Sequence, residues 1–94
     1  MTDAPPIRDQ VLAEAQRLIG GQRRTDYGDP RESFARLAQM WSALLPVQVT
    51  PAQVALCLAA LKLSRASVTP DHADSWVDLA GYAALGAEVS GAVL

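Results

Sequence analysis

The sequence predicts an all-α protein, a four-helix antiparallel bundle that self-associates. Half of its 94 residues are apolar, only 5% are aromatic, and alanine and leucine dominate, which favours closely packed helices over a β-sandwich. Proline directly after a capping residue, at Asp29-Pro30 and Thr50-Pro51, marks two helix starts. The length allows one helical domain over residues 1–94, with a flexible N-terminus at residues 1–6.

The first helix is predicted from Asp3 as the capping acid, with the following prolines in its first turn. Apolar residues then recur at helical spacing, at Ile7, Val11, Ala15, Leu18 and Ile19. Gly20-Gly21 is expected to end this helix, because glycine adopts the left-handed conformation at little cost.

The segment QRRTDYGD, residues 22–29, is predicted to be a loop. One interpretation is a solvated turn in which Gly28 supplies backbone freedom. The other is a ligand-binding loop, since the arginine forks of Arg23 and Arg24 suit phosphate and Tyr27 can stack on a base.

The second helix is predicted to begin with Asp29 as its cap and Glu32 completing a capping box, which is one structural role for Glu32. An apolar stripe follows and the helix is expected to stop before Pro46; the stripe contains Phe34, Leu37, Ala38, Trp41, Leu44 and Leu45.

The third and fourth helices are unusually apolar. The third is predicted from the capping box of Thr50 and Gln53 to about Ala66, and the fourth from after Thr69-Pro70 towards the C-terminus. Residues 54–61 are apolar on every side of the helix, which predicts complete burial, including that of Cys57. Because four helices of this length cannot surround two such helices, we expect a homo-oligomer, a dimer or a tetramer.

Composition also excludes several classes of protein. The formal net charge of −2 argues against binding to duplex nucleic acid, which normally requires a basic excess. A single cysteine allows no disulfide within the chain. The acidic, proline-rich start does not resemble a signal peptide, and no apolar stretch is long enough to span a membrane. The expectation is therefore an intracellular, cytoplasmic protein without a membrane partner.

Most polar residues of the last two helices lie between Lys62 and Tyr82. Short connections predict that the end of the third helix lies beside the start of the fourth, with the loop before the second helix at the same end. This gathers Tyr27, Glu32, Lys62, Arg65, Asp74 and Asp78. The lone His72 fits a helix cap, a surface residue or a ligand contact, and Trp76 fits either packing or base stacking.

Two chemistries fit this cluster. Asp74 and Asp78 are four residues apart on one helix face, and two such carboxylates together with phosphate oxygens suit Mg²⁺. Lys62 and Arg65 share a face and can hold a phosphate. The structural alternative is a set of salt bridges in which Arg65 pairs with Asp74 and Lys62 pairs with Asp78.

The segments YGDPRESFARLAQMW, VTPAQVALCLAALKLSR and HADSWVDLAGYAAL resemble a family of small bacteriophage and prophage proteins of largely unassigned function. The pattern over residues 20–90 is also similar to the nucleotide-modification-associated domains of phage genomes. More distantly it resembles the all-α MazG-like nucleoside triphosphate pyrophosphohydrolases, which bind magnesium through acidic pairs on successive helices.

The resemblance implies a nucleotide-related role in a helical oligomer. Asp74 and Asp78 correspond loosely to the second acidic pair of the MazG-like enzymes, the first pair has no counterpart, and Glu32 is the acid available from the second helix. Lys62 and Arg65 stand where acids are expected, which favours phosphate binding over hydrolysis by several metal ions.

Three functional hypotheses follow. In the first, Asp74, Asp78 and Glu32 hold Mg²⁺ for hydrolysis of a nucleoside triphosphate. In the second, a non-catalytic phage protein sequesters a nucleotide, including a cyclic nucleotide signal of host defence. It grips the phosphates through cations and stacks on the base through an aromatic ring, using Arg23, Arg24, Lys62, Arg65, His72, Tyr27 or Trp76. In the third, the charges are salt bridges of a structural or protein-interaction module.

Overall fold

The chain is described here by a computed structural model that covers residues 3–94, apart from the side chains of residues 22 and 23. All regular structure in this part is helical, which confirms the predicted all-α class. Four long helices are present, and a short helix lies between the first two of them. The helices are α1 Ile7–Gly20, α2 Gln22–Tyr27, α3 Pro30–Leu44, α4 Pro51–Val68 and α5 Ala73–Ser90.

The start of α4 is the capping box that the sequence predicts. The Thr50 hydroxyl accepts from the Gln53 backbone N–H at 3.2 Å, and the Thr50 N–H donates to the Gln53 side-chain oxygen at 2.9 Å. At α3 the Asp29 carboxylate accepts from the Arg31 N–H at 2.9 Å. The reciprocal bond expected from Glu32 is absent from the described residues, so Asp29 caps α3 alone.

Two expectations for α1 were wrong in detail. The helix begins at Ile7 after Pro6 and has no side-chain cap, so Asp3 does not cap it. The Pro6 carbonyl instead accepts from the N–H groups of Asp9 and Gln10. Gly21 does end α1, but with φ −104° rather than in the left-handed region. It is required there because a Cβ would lie 2.7 Å from the Arg17 carbonyl oxygen.

The segment predicted as a loop over residues 22–29 forms α2 instead. Its first turn is closed by the N–H groups of Arg24 and Thr25, which donate to the Gly21 carbonyl. Gln, Arg and Tyr are adequate helix formers, so a six-residue helix fits between the glycines at either end. Gly28, with φ 79°, ends it.

Helix α5 is the centre of the packing, since it contacts α1, α3 and α4, and α4 also contacts α3. The buried cluster contains Phe34 and Ala38 of α3 and Val54 and Ala55 of α4. A Cβ on Gly86 would lie 3.1 Å from the Ala55 side chain, and one on Gly81 would lie 3.3 Å from Ile19. The small residues of α5 therefore allow α1 and α4 to approach closely.

Burial of α4 is one-sided in the single chain, so the predicted burial of residues 54–61 on every side would require the expected self-association. Val54 is fully buried, whereas Leu56 is 69% exposed, and Cys57 is exposed rather than buried. The side of α4 away from α3 and α5 has no neighbouring helix among the described residues. In the described part of the chain, no helix is long and apolar enough to cross a membrane.

Candidate functional site

A groove between the end of α4 and the start of α5 collects half of the predicted site residues. We name this surface the polar groove; it is lined by Lys62, Ser64, Arg65, Val68, Thr69, His72, Asp74, Ser75 and Asp78. The residues 69–72 connect the two helices, and this short connection places their polar ends side by side. The structure thus brings together five of the residues chosen from the sequence.

The shortest contact in the polar groove is an ion pair. The Lys62 Nζ lies 2.8 Å from Asp78 Oδ2, and the two side chains are only 13% and 25% exposed. It is one of the two salt bridges predicted for the case in which these charges have a purely structural role. Partial burial strengthens the attraction relative to a surface pair, but each charge has also lost hydration.

The other charges of the polar groove are more exposed. The Asp74 carboxylate is 84% exposed, and its partner at ion-pair distance is His72 Nε2 at 3.8 Å. The predicted pair of Arg65 with Asp74 does not form, and Arg65 has no ion-pair partner among the described residues. His72 is the N-cap residue of α5 but makes no side-chain capping bond. Arg65 is therefore a cation available to a ligand.

A second concavity, which we name the apolar cleft, lies on the other side of Asp78. It has a volume of about 160 Å³ and is bounded by four helices. Its walls include Ala15, Leu18, Ile19, Arg24, Tyr27, Phe34, Val77, Asp78, Tyr82 and Leu85. Because Asp78 lines both concavities, the Lys62–Asp78 pair stands where the polar groove and the apolar cleft meet.

Arg24 brings a positive charge to the apolar cleft. Its guanidinium lies 3.7 Å from Glu88 Oε2, which is an ion-pair distance but too long for a hydrogen bond. Glu88 Oε2 is buried and accepts no hydrogen bond. The Arg24 donors are thus only weakly engaged. The side chain of Arg23, the neighbouring phosphate candidate, lies outside the described residues.

Sequence reasoning missed Tyr82 as a cleft residue and Glu88 as the partner of Arg24. Tyr82 is four residues after Asp78 and therefore shares its helix face, a spacing that could have identified it. Glu88 had no such signal, because its partner lies on α2, far away in the sequence.

Two candidate residues lie apart from these concavities. Trp76 is two residues from both Asp74 and Asp78, and residues at that spacing point to nearly opposite sides of a helix. It lines a groove between α1 and α5, where its indole N–H donates to the Pro70 carbonyl at 2.8 Å. Glu32 is exposed at the start of α3 and lines neither the polar groove nor the apolar cleft.

The carboxylates fit a protein-held metal ion poorly. Within residues 3–94 no group of three or more His, Cys, Asp or Glu side chains is arranged to hold one. Asp78 is engaged by the Lys62 ammonium, which competes with a cation for the same oxygens. Asp74 and Asp78 remain the two carboxylates that a phosphate-bound Mg²⁺ could share.

Comparison with known proteins gives a family and two relatives. Residues 10–90 match the family described as "Domain of unknown function (DUF6378)". The chain is 41% identical over 77 residues to the Gene 55 protein of Mycobacterium phage D29, covering 82% of this chain and 51% of that protein. It is 42% identical over 74 residues to the Gene 55 protein of Mycobacterium phage L5, covering 78% and 47%. No solved structure matches.

The chain thus spans about half the length of the curated relatives it matches. The predicted resemblance to phage proteins of unassigned function is confirmed by these relatives. The more distant resemblance to the MazG-like enzymes stays a prediction.

Proposed function

This chain belongs to the DUF6378 family, and we propose that it binds a small nucleotide of low negative charge without converting it. The observation that carries the proposal is the position of the Lys62–Asp78 pair between the polar groove and the apolar cleft. A nucleotide has the same division into a planar apolar part and an anionic part. The phosphate would contact the polar groove and the base would enter the cleft.

The size and walls of the apolar cleft support the assignment of the base. A cavity of about 150 Å³ can hold one benzene ring, and the cleft has a volume of about 160 Å³. Tyr27, Phe34 and Tyr82 supply aromatic surface beside it. Aromatic side chains stack on any base, so the walls favour a nucleobase, while the volume matches a single ring, which is a pyrimidine or one of the two fused rings of a purine.

The charge balance supports a ligand with one or two negative charges. Lys62 and Asp78 neutralise each other, and Asp74 opposes the charge of Arg65 within the polar groove. Arg65 is the cation left for a phosphate in the polar groove, whereas Arg24, at ion-pair distance from Glu88, lies at the apolar cleft that would take the base. A single guanidinium group beside two carboxylates suits a nucleoside monophosphate or a cyclic nucleotide better than a triphosphate, which normally brings Mg²⁺ to offset its charge.

Sequestration of such a nucleotide in the host cytoplasm, including a cyclic signal of host defence, is the biological role we propose. The similarity to two mycobacteriophage proteins is the reason for choosing a phage setting. We also propose that the four long helices form an antiparallel bundle and that the chain self-associates as a dimer or tetramer.

The test is a thermal-shift and calorimetric titration with adenosine monophosphate, cyclic adenosine monophosphate and adenosine triphosphate, repeated with guanine and uracil nucleotides. Each is measured with Mg²⁺ and with a chelator. A ligand that binds only the folded state raises the melting temperature. We expect the monophosphate or cyclic nucleotide to do so in the presence of chelator.

Matched variants make the test specific. Arg65→Ala and Arg24→Ala should weaken binding, whereas Arg36→Ala should not. Arg36 is an exposed arginine of α3 that lines neither concavity, so its removal changes the net charge equally. Equal loss in all three variants would show a non-specific charge effect, and no shift with any nucleotide would favour the structural or interaction module.

A second candidate, a MazG-like pyrophosphohydrolase that requires Mg²⁺, is favoured by one observation. Asp74 and Asp78 both line the polar groove, where a magnesium ion bound to phosphate could share them. This hypothesis predicts that adenosine triphosphate binds only with Mg²⁺ and is converted to monophosphate and pyrophosphate. Conversion should be lost in Asp78→Asn and retained in Asp71→Asn, a nearby acid outside the polar groove.

A further inference from the structure

The single chain exposes more surface than a compact monomer of its mass. Folded monomers of 10.0 kDa expose roughly 5,200 Å², whereas this chain exposes 6862 Å². Its radius of gyration is 14.9 Å, against roughly 12 Å for a compact domain of this length. The excess is about 1,600 Å², and it comprises the exposed chain ends at residues 3–6 and 91–94 as well as uncovered helix surface.

The location of apolar surface indicates where a partner would bind. One side of α4, which we name the outer face of α4, consists of Leu56, Cys57, Ala60, Leu63, Ser64 and Ser67, all exposed. Leu56 and Leu63 are 69% and 54% exposed. Apart from the Cys57 thiol, this face has no ionisable group. Lys62 lies on the opposite side of the helix, and Arg65 lies beyond the edge at Ser64, where both Ser64 and Arg65 line the polar groove.

The composition of the outer face of α4 suits another helix. Leucines at positions 56 and 63 are separated by two turns, and the small residues Ala60 and Ser64 lie beside them. Large side chains can then pack over small ones on a neighbouring helix. An uncharged helix side of this kind is typical of a contact surface rather than of a solvated one.

We propose that the outer face of α4 is the contact surface of a homodimer, in which it packs against the same face of a second copy. A two-fold dimer uses the same patch on both subunits, and an uncharged face meets its own copy without repulsion. A standard interface takes about 800 Å² from each partner, which is about half of the excess area of this chain. This inference does not rest on nucleotide binding.

The groove between α1 and α5 is the competing surface. It exposes Ile7, Leu12 and Trp76, but Arg8 and Asp71 also line it. Those charges would have to be desolvated or paired on association. The groove therefore provides the matched control surface.

The first test is the mass of the assembly by light scattering and sedimentation over a series of concentrations. The wild-type protein should be a dimer, or a tetramer built from it, and Leu56→Glu and Leu63→Glu should be monomers. Leu12→Glu makes the same change in the control groove and should keep the wild-type mass. A monomeric wild type, or a Leu12→Glu variant that dissociates like Leu56→Glu, would overturn the proposal.

The second test needs no substitution in the interface, so it remains informative if the glutamate variants fail to fold. Cys57 is exposed in the single chain and lies within the proposed contact. The rate at which a thiol reagent labels it should fall as protein concentration rises and the dimer forms. A labelling rate that does not change while the mass increases would place the contact elsewhere.

Discussion

The contact between Lys62 and Asp78 both joins two helices and forms part of the proposed nucleotide site. Their side chains are mostly buried and 2.8 Å apart, so each carries much of the cost of losing water. The pair joins α4 to α5 near the end where their connection begins. The same pair also forms the wall shared by the two concavities of the proposed nucleotide site.

The replacement of Lys62 by methionine should destabilise the protein by about 1–3 kcal/mol, between the values for exposed and buried pairs. The reason is that Asp78 keeps its partly buried charge and loses its partner. The Lys62→Met, Asp78→Asn double variant should recover part of this loss. Urea unfolding of the two single variants and the double variant gives the coupling energy.

The Glu14–Arg17 pair is the control. Its arginine side chain is 67% exposed, and the hydrogen bond from Arg17 lowers the pKa of Glu14 without burying it. Arg17→Met should leave the free energy of unfolding unchanged within error. An equal loss in Arg17→Met and Lys62→Met would show that burial of the Lys62–Asp78 pair has no energetic role.

Gly28 lies beside the apolar cleft and has a backbone conformation that residues other than glycine rarely adopt. Its φ of 79° and ψ of −158° lie in a region that is essentially reserved for glycine. Gly28→Ala should therefore cost about 1–3 kcal/mol. Gly20→Ala, at the end of α1 with nothing within 4 Å of the added carbon, should be neutral or stabilising. Thermal unfolding of both variants checks the difference.

Side-chain partners could be predicted from the sequence only where helix spacing determines them. The pair of Lys62 with Asp78 follows from a short connection between two helices, and the structure contains it. Cys57, which the sequence predicts to be buried, is exposed in the single chain, because burial depends on which neighbours cover a helix side. An apolar run predicts that a helix is shielded from water. It does not show whether the residues that cover the helix belong to the same chain or to a partner.

At the scale of elements, the ends of α3 and α4 were predictable because capping is a local interaction. Asp29 and Thr50 each accept a backbone N–H within three residues, so the relevant residues are adjacent in the sequence. The short α2 was not predictable in this way. Its two arginines and its flanking glycines fit a loop equally well, and its helical state depends on packing against α1 and α3.

Thr50→Ala should test the energetic role of the α4 cap. Loss of the hydroxyl removes the acceptor for the Gln53 N–H, and such substitutions cost about 1 kcal/mol. Ser67→Ala removes an exposed hydroxyl from the last turn of the same helix, where it donates to the Ser64 carbonyl at 2.7 Å and where alanine has the higher helix propensity. The measurement is the urea midpoint of each variant at a low protein concentration, and similar midpoints would contradict a stabilising cap.

For the whole molecule, the polar groove and the apolar cleft differ in how far the sequence could predict them. The polar groove joins two successive helices, and its charged residues were identified from their spacing. The apolar cleft is built from α1, α2, α3 and α5, so its existence depends on how distant elements meet. No local pattern contains that information, which is why Glu88 and the cleft itself emerged only from the structure.

The last prediction concerns the coupling of folding to association. If the outer face of α4 is covered by a second copy, the dimer is favoured by mass action, and the melting temperature should rise with protein concentration. Differential scanning calorimetry over a concentration series measures this slope. Leu56→Glu should show a lower melting temperature that does not depend on concentration, whereas Leu12→Glu should keep the wild-type slope.

A melting temperature that does not change with concentration, in a wild-type protein of dimeric mass, would mean that each copy is stable without its partner. The one-sided burial of α4 would then be sufficient for folding, and the dimer would serve only to assemble already folded chains.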